Sequence, residues 1–249
     1  MEDRRHVPLT IPTADPHACT PDVRIQVLGK VPFFAGLEHD ELHHVDDRCR
    51  VRGLTAGESL YLEGETAGNF YVVATGIMKT TRINADGRET LLDLLVPGDF
   101  LGTYPTQGVE HYADSAWAVT PTCVLVLDSR DFSAILQRFP AVTLATLEVV
   151  STRLSQAQDA VHRLSAAPVE QRLAATLLLI ADKAGSPWQG GTLLQVPLSR
   201  EDLASMIGAV TETVSRTLST WRSDGLVETG RRWVAIKDVA ALQALRDGA

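Results

Sequence analysis

The stretch Val196-Pro-Leu-Ser-Arg-Glu-Asp-Leu-Ala-Ser-Met-Ile-Gly-Ala-Val-Thr-Glu-Thr-Val-Ser-Arg-Thr-Leu-Ser-Thr-Trp-Arg-Ser-Asp-Gly-Leu-Val-Glu228 decides how the rest of the chain is read. It has the pattern of two short helices joined by a tight turn. Ser199 fits an N-cap position, and Asp202 three residues on answers it as a variant capping box. Leu203, Ala204 and Ile207 form one apolar face, and Gly208 suits the left-handed residue that follows a last turn. Thr211 is expected to cap the second helix, in which Val214, Leu218 and Trp221 recur at helical spacing and face inward. Glu212, Ser215, Arg216 and Ser219 are left outside. Small residues at Ala204 and Gly208 are expected to let the two helices cross closely. The pattern is a helix-turn-helix, whose second helix is of the kind that enters a DNA major groove.

The exposed residues of that helix suit base reading. Arg216 can donate two hydrogen bonds to guanine O6 and N7, Glu212 can accept from a cytosine amino group, and Ser215 can meet either kind of edge. On an ordinary surface helix Glu212 and Arg216 would be an i,i+4 pair worth only about 0.2–0.5 kcal/mol. The turn before the helix and Gly225 after it favour the groove. Gly225 to Glu228 and Gly230 to Ile236 read as a hairpin whose basic tip, Arg231 and Arg232, is a wing placed to touch phosphate. Ser199, Thr211 and Thr213 complete the expected DNA-facing set.

Leu198-Ser199, Asp202-Leu203-Ala204, Gly208 and Glu212-Thr213-Val214-Ser215-Arg216 resemble the DNA-binding domain of the CRP/FNR family of bacterial transcription regulators. The cyclic-AMP receptor type carries an arginine just before the glutamate and a glycine before the last arginine. Thr211 and Ser215 stand there instead, so the triplet Glu-x-x-Ser-Arg is similar to the FNR type. The resemblance implies a TTGA-type half-site and, as a protein partner, RNA polymerase.

The 249 residues allow one large domain or two ordinary ones, and 45% hydrophobic residues suffice for a full core. A net charge of −8 at first disfavours DNA. From Gly190 onward, however, seven Lys/Arg face seven Asp/Glu, so the acidic excess lies elsewhere. A neutral module with arginines on one face is enough, because local potential governs, and affinity for phosphate should be modest and salt-sensitive. No apolar run approaches the roughly 18 residues of a membrane span, and the N-terminus lacks a signal peptide's apolar core. A cytoplasmic location, double-stranded DNA as partner and no membrane are therefore expected. Cys19, Cys49 and Cys123 are too scattered for a C-x-x-C pair or a disulfide framework.

Residues 1–22, with Pro8, Pro12, Pro16 and Pro21, read as a flexible arm. His6, His17 and Cys19 within it are candidate ligands or simply parts of a polar tail. Val23 to Leu28 should begin a short helix leading to Val31-Pro32-Phe33-Phe34, and residues 38–48 a second, with Leu42 and Val45 inward. His39 and His43 share a face of it, either as a metal clip or as solvated side chains. Residues 49–127 switch to short apolar runs among glycines: Asn69–Val73, Ile77–Ile83, Thr90–Leu95, Ala116–Val119 and Cys123–Leu127, with Asp86-Gly87 as a hairpin signal. That spacing suits a small barrel or jelly roll. Its order, through Ala56-Gly57-Glu58, Gly64-Glu65 and Pro97-Gly98-Asp99-Phe100-Leu101-Gly102, resembles a cyclic-nucleotide-type β-roll.

A long helix is expected over 141–165. Leu147, Val150, Leu154, Ala157, Val161 and Leu164 alternate spacings of three and four with no second apolar stripe, the seam of a parallel homodimer. Packing of the stripe on its own barrel is the alternative. Ala166-Ala167-Pro168 is a hinge, with Pro168 at the first position of a helix over Val169–Lys183. Ser186–Gly191 reads as a turn, Thr192–Val196 as a strand able to pair with the wing, and 238–247 as a closing helix. The fold expected is α+β: an arm over 1–22, a β-roll sensor over 23–139, a dimerisation helix and hinge over 140–167, and a winged helix-turn-helix over 168–249.

The resemblance also bears on what the roll senses. The cyclic-AMP type holds its ligand with a glutamate after the Gly-Asp-Phe-Leu-Gly stretch and with an arginine–serine pair. Thr103 stands in the first place and Asp114-Ser115-Ala116 in the second. An aspartate repels a cyclic phosphate, so cyclic AMP is not expected as the ligand. The oxygen-sensing branch implies an iron–sulfur cluster held by N-terminal cysteines and one in the roll. Cys123 fits the roll position, Cys19 is in the N-terminal region, and Cys49 lies outside the usual motif, three thiols where a cubane takes four ligands. Alternatively, Cys123 is a small buried hydrophobe. Haem, and a ligand-free regulator, stay open. No catalytic triad, phosphate loop or metal-spaced set marks an enzyme. The reading is a dimeric regulator on a TTGA-like palindrome. A small-molecule binding protein whose C-terminal domain docks a protein partner is the alternative.

Overall fold

The computed structural model describes residues 8–9, 19–103 and 110–248, so the arm expected over 1–22 lies mostly outside the described residues. Pro12–Arg82 with Leu92–Ala157 form one compact unit, and Gln158–Ala249 the body of a second.

In the first unit, α1 (Pro21–Leu28) and α2 (His39–Asp46) precede β1 (Cys49–Leu54), β2 (Ser59–Tyr61), β3 (Asn69–Thr75), β4 (Met78–Ile83), β5 (Glu89–Leu95), β6 (Phe100–Gly102), β7 (Ser115–Ala118) and β8 (Thr122–Asp128). α3 (Ser129–Arg138) and α4 (Pro140–Ala166) follow. α1 begins at Pro21, two residues before the expected Val23, because a proline's fixed φ and missing N–H suit the first helical turn. In α2 the Glu38 N–H donates to Glu41 Oε2 at 2.9 Å, and Leu42 and Val45 are buried as expected.

Among the described residues the strands form two four-stranded antiparallel sheets, ordered β1-β8-β3-β6 and β2-β7-β4-β5. β8 lies between β1 and β3, pairing Cys49 with Leu127 and Leu54 with Thr122 on one side and Phe70 with Leu127 on the other. Successive side chains on a strand alternate faces. Val72, Ala74, Cys123, Leu125 and Leu127 therefore join a core with α1, α3 and the start of α4. Tyr71, Val73, Val124 and Val126 enter the other core, with Tyr61, Tyr112 and Met78. The first core is aromatic at its centre: the Phe33 ring sits 4.6–5.8 Å, edge-on, from Phe34, Phe70, Phe100 and Phe132.

α4 has two apolar faces, not the single stripe expected. Val142 is buried, and Ala145 and Val149 pack against the first core. Arg153 fastens the helix further along, its guanidinium 3.6 Å from the Phe100 ring centre and Nη2 donating to the Phe100 carbonyl at 3.1 Å.

The second unit contains α5 (Val169–Ala184), β9 (Gly185–Trp188), β10 (Gly191–Leu194), α6 (Arg200–Met206), α7 (Thr211–Ser223), β11 (Val227–Gly230), β12 (Trp233–Ile236) and α8 (Val239–Asp247). Pro168 is the extended N-cap of α5 rather than its first residue. The sheet runs β11-β12-β10-β9. The expected turn over Ser186–Gly191 shrinks to Gln189 and Gly190, both at positive φ. The rest of that stretch is β9, an edge strand where Pro187 is tolerated. Trp188 and Trp233 meet edge-on, and Leu9 of the arm packs against their cluster.

Candidate nucleic-acid interface

The turn between α6 and α7 is built from local hydrogen bonds. Ser199 Oγ accepts from the Asp202 N–H at 3.0 Å, and Asp202 Oδ2 accepts from the Ser199 N–H at 2.7 Å, the reciprocal cap read from the sequence. Ser199 Oγ also donates to Asp202 Oδ2, so this hydroxyl is spent on positioning α6. Gly208 sits at φ 59° and is exposed. Its part is the left-handed turn, which glycine adopts without strain, and not a close helix crossing. The Ala209 N–H then donates to the Ala204 carbonyl at 3.0 Å.

The cap of α7 is Val210, not Thr211. Val210 is the extended residue, and Thr211 already lies in the first turn. Val214, Leu218 and Trp221 are buried as expected, joined by Thr217. Thr211, Glu212, Arg216, Ser219 and Thr220 face solvent, while Thr213 and Ser215 are half-buried. Among the described residues no ion pair or side-chain hydrogen bond engages Glu212 or Arg216. The i,i+4 pair is not formed, which leaves the Arg216 fork free.

The wing closes with Gly230 opposite Trp233, leaving Arg231 and Arg232 as its exposed tip. Gly230 is required because a Cβ there would run into the Trp233 indole. Arg232 takes φ 62° and donates from Nη2 to the Pro197 carbonyl at 3.3 Å, tying the wing to the chain entering α6.

Sequence reasoning missed a second pair of cations. Arg200 opens α6, and Arg222 is exposed in the last turn of α7. Burial, and then the charge of Arg222, hold Arg200 below the usual arginine range. Arg200 is half-buried and feels the charge of Arg222, so the two add positive potential to the unit that carries α7. The available signal was Arg200 directly after the Ser199 cap.

On the long helix, Leu144, Leu147, Val150, Leu154, Val161 and Leu164 are 47–65% exposed, and Ala157 is exposed with them. Leu144 extends the stripe read from the sequence by one turn.

Inside the roll, the Tyr61 hydroxyl donates to Asp114 Oδ1 at 3.1 Å. Tyr61 stacks on Tyr112 at 3.9 Å, and the Tyr71 and Tyr112 hydroxyls lie 3.3 Å apart. Burial pushes the Asp114 carboxyl up. Ser115 Oγ accepts from the Glu63 N–H at 2.9 Å, and Thr103 is half-buried.

Cys19 and Cys123 are both buried in the first core. The Cys123 thiol, and then Arg24, lower Cys19 against the opposing effect of burial, while the Cys19 thiol and burial raise Cys123. Arg24 is held by Asp46 through hydrogen bonds of 2.9 and 2.7 Å. Cys49 is pushed up to about 12 by its own burial. It lies four residue pairs from Cys123 along the β1–β8 ladder, about 13 Å at strand rise. Among the described residues no three His, Cys, Asp or Glu side chains are grouped to hold a metal. The described residues thus do not supply the ligands of an iron–sulfur cubane. His39 and His43 do meet, Nε2 to Nε2 at 3.1 Å on the exposed face of α2.

A model of the cyclic nucleotide-binding domain matches residues 51–139, and one of the Crp-like helix-turn-helix domain matches 171–245. The nitrogen fixation regulation protein FixK of Bradyrhizobium diazoefficiens is 27% identical over 85% of this chain and 88% of its own. The transcriptional activator protein FnrL of Cereibacter sphaeroides is 28% identical over 84% and 85%. Among solved structures, FixK2 of Bradyrhizobium japonicum shares the fold with a TM-score of 0.70 at 24% identity, covering 79% of this chain and 96% of that one. A CRP-family transcriptional regulator from Thermus thermophilus gives 0.66 at 26%, covering 80% and 97%. With the roll, the long helix and the winged helix-turn-helix in this order, and with both domains matched, the chain belongs to the CRP/FNR family of DNA-binding transcription regulators.

Proposed function

We propose that the chain acts as a homodimer on a palindrome of two TTGA-like half-sites, governed by a signal at the roll other than cyclic AMP. The observation that carries this reading is the exposed a/d stripe of α4. Leucines and valines at heptad spacing, about half or more exposed on a single chain, gain most by pairing with the same stripe of a second copy. A parallel pair of such helices gives two recognition helices for half-sites one turn apart. In each half-site Arg216 reads a guanine and Glu212 a cytosine, while Arg200, Arg222 and Arg231 meet phosphates.

Against cyclic AMP stand Asp114, already accepting from Tyr61, and the stacked tyrosines filling that side of the roll. The regulator would work in the cytoplasm beside RNA polymerase, without catalysis of its own. No helix among the described residues is long and apolar enough to cross a membrane. Sedimentation of the parent and of a Leu154→Lys variant, each with and without a palindromic duplex, tests the reading. A dimeric parent and a monomeric, weakly binding variant are expected. A parent that binds the duplex as a monomer would refute it.

A further inference from the structure

The hinge between α4 and α5 breaks a hydrogen-bond ladder, and one side chain repairs it. Carbonyls in the last turn of a helix run out of intrahelical donors. The Arg163 carbonyl still accepts from the Ala167 N–H at 2.9 Å. The Leu164 carbonyl would take its donor four residues on, but that residue is Pro168, which has no N–H. Arg172 supplies the donor instead. Its Nη1 donates to the Leu164 carbonyl at 3.1 Å and to the Ala167 carbonyl at 3.2 Å. Arg172 lies one turn into α5, where its own N–H donates to the Pro168 carbonyl at 3.1 Å. Side chains on a helix lean toward its N-terminus, so the guanidinium is aimed back across the hinge. One planar, permanently charged group thus joins the end of α4 to the start of α5. Leu164 is also the last residue of the exposed stripe, and a Cβ added at Gly208 would lie 3.4 Å from its Cδ2. The end of α4 therefore sits against the turn from which α7 departs.

We propose that Arg172 is a positioning residue that fixes the angle at which the end of α4 meets the winged helix-turn-helix, and thereby the half-site spacing that the protein accepts. The spacing half of this inference rests on the reading of a dimer on a palindrome. In such a dimer two recognition helices must meet two half-sites at once, so the angle at each hinge sets how far apart they stand. Two extra base pairs move one half-site by roughly 7 Å and turn it by roughly 70° about the duplex axis. A hinge held by a guanidinium across two carbonyls resists that change. A hinge joined only by its backbone follows it.

The test compares the full-length parent with Arg172→Met, which keeps the apolar stem and removes every donor, and with Arg172→Lys, whose ammonium can still bond both carbonyls. Hydrogen exchange read by peptide mass reports the hinge without DNA. Exchange over residues 163–168 should quicken by about tenfold or more in Arg172→Met and stay near the parent's in Arg172→Lys. Affinity is then measured for a duplex with one half-site and for palindromes lengthened or shortened by one or two base pairs. The parent should lose about tenfold or more at two base pairs from its best spacing, as the second half-site drops out. In Arg172→Met the spacing profile should flatten to within about threefold with single-half-site affinity kept, and Arg172→Lys should restore the steep profile. Should Arg172→Met not fold, Arg172→Gln, too short to span both carbonyls, is read in the same two ways. Unchanged exchange in the variant without the donor, or a spacing profile as steep as the parent's, would overturn the positioning role. So would an equal loss at every spacing and at the single half-site, which marks a structural support of α5 or a direct DNA contact. A parent that binds one half-site and two alike, with exchange behaving as expected, would instead sink the palindrome reading and leave the hinge contact standing.

Discussion

Arg216 is exposed on α7 with its guanidinium unengaged, as a residue aimed at guanine should be. Arg216→Ala is expected to cost about 1–3 kcal/mol at one base position of each half-site and to leave non-specific binding nearly intact, checked by binding to a set of single-base variants. Ser199 acts differently. Its hydroxyl is committed to the α6 cap, so Ser199→Ala should lower stability by about 1 kcal/mol in thermal unfolding. Asp114 carries a pH signature. Burial raises its folded-state pKa above the ordinary 3.8. The folded chain then holds its proton more tightly than the unfolded chain, so stability falls as pH rises from the ordinary value through the raised one. Asp114→Asn, which still accepts from Tyr61, should raise the urea midpoint at neutral pH, and the gain should vanish below about pH 4. The sequence showed the Ser199 cap, because reciprocal capping is written in residue identity. It misplaced the cap of α7, since a threonine beside the turn is the better capper in isolation and only backbone geometry makes Val210 the extended residue.

The legible elements are those whose burial repeats with a clear period. β8 is central in its sheet and buried on both faces, so it reads as the continuous run Cys123–Leu127. β1 carries Arg50 and Arg52 beside Gly53 and lies at a sheet edge, where little apolar patterning is needed. β9 contains a proline on an edge strand, which no local rule calls a strand. On α4 the exposed stripe was plain, but Val142, Ala145 and Val149 were not, because three small apolar residues over two turns are too few to form a stripe. The two faces give opposite expectations. Leu154→Lys should dissociate the dimer, since each chain would have to bury an unpaired ammonium, while leaving the roll folded. Val142→Lys should unfold the roll itself, and circular dichroism with sedimentation separates the outcomes. In the wing, Gly230→Val should displace the Trp233 indole and weaken DNA binding through the misplaced tip arginines.

For the molecule as a whole, net acidity and DNA binding are compatible because the cations lie together. Arg200, Arg222, Arg231 and Arg232 belong to the unit that carries α7, and the acidic excess lies earlier in the chain. Arg200 and Arg222 stand apart in sequence and become neighbours only when α6 packs on α7, so that pair was invisible in the sequence. The same holds for Cys19 and Cys123, brought into one core by the fold across about a hundred residues. The decisive experiment is fluorescence anisotropy of the full chain at fixed moderate salt. It compares a duplex carrying two inverted TTGA-type half-sites one turn apart with a duplex of the same composition in scrambled order. Affinity for the palindrome on the order of a thousandfold or more above the scrambled duplex is expected, collapsing toward the scrambled value in Arg216→Ala. Equal affinity of the parent for the two duplexes would contradict sequence-specific reading by α7.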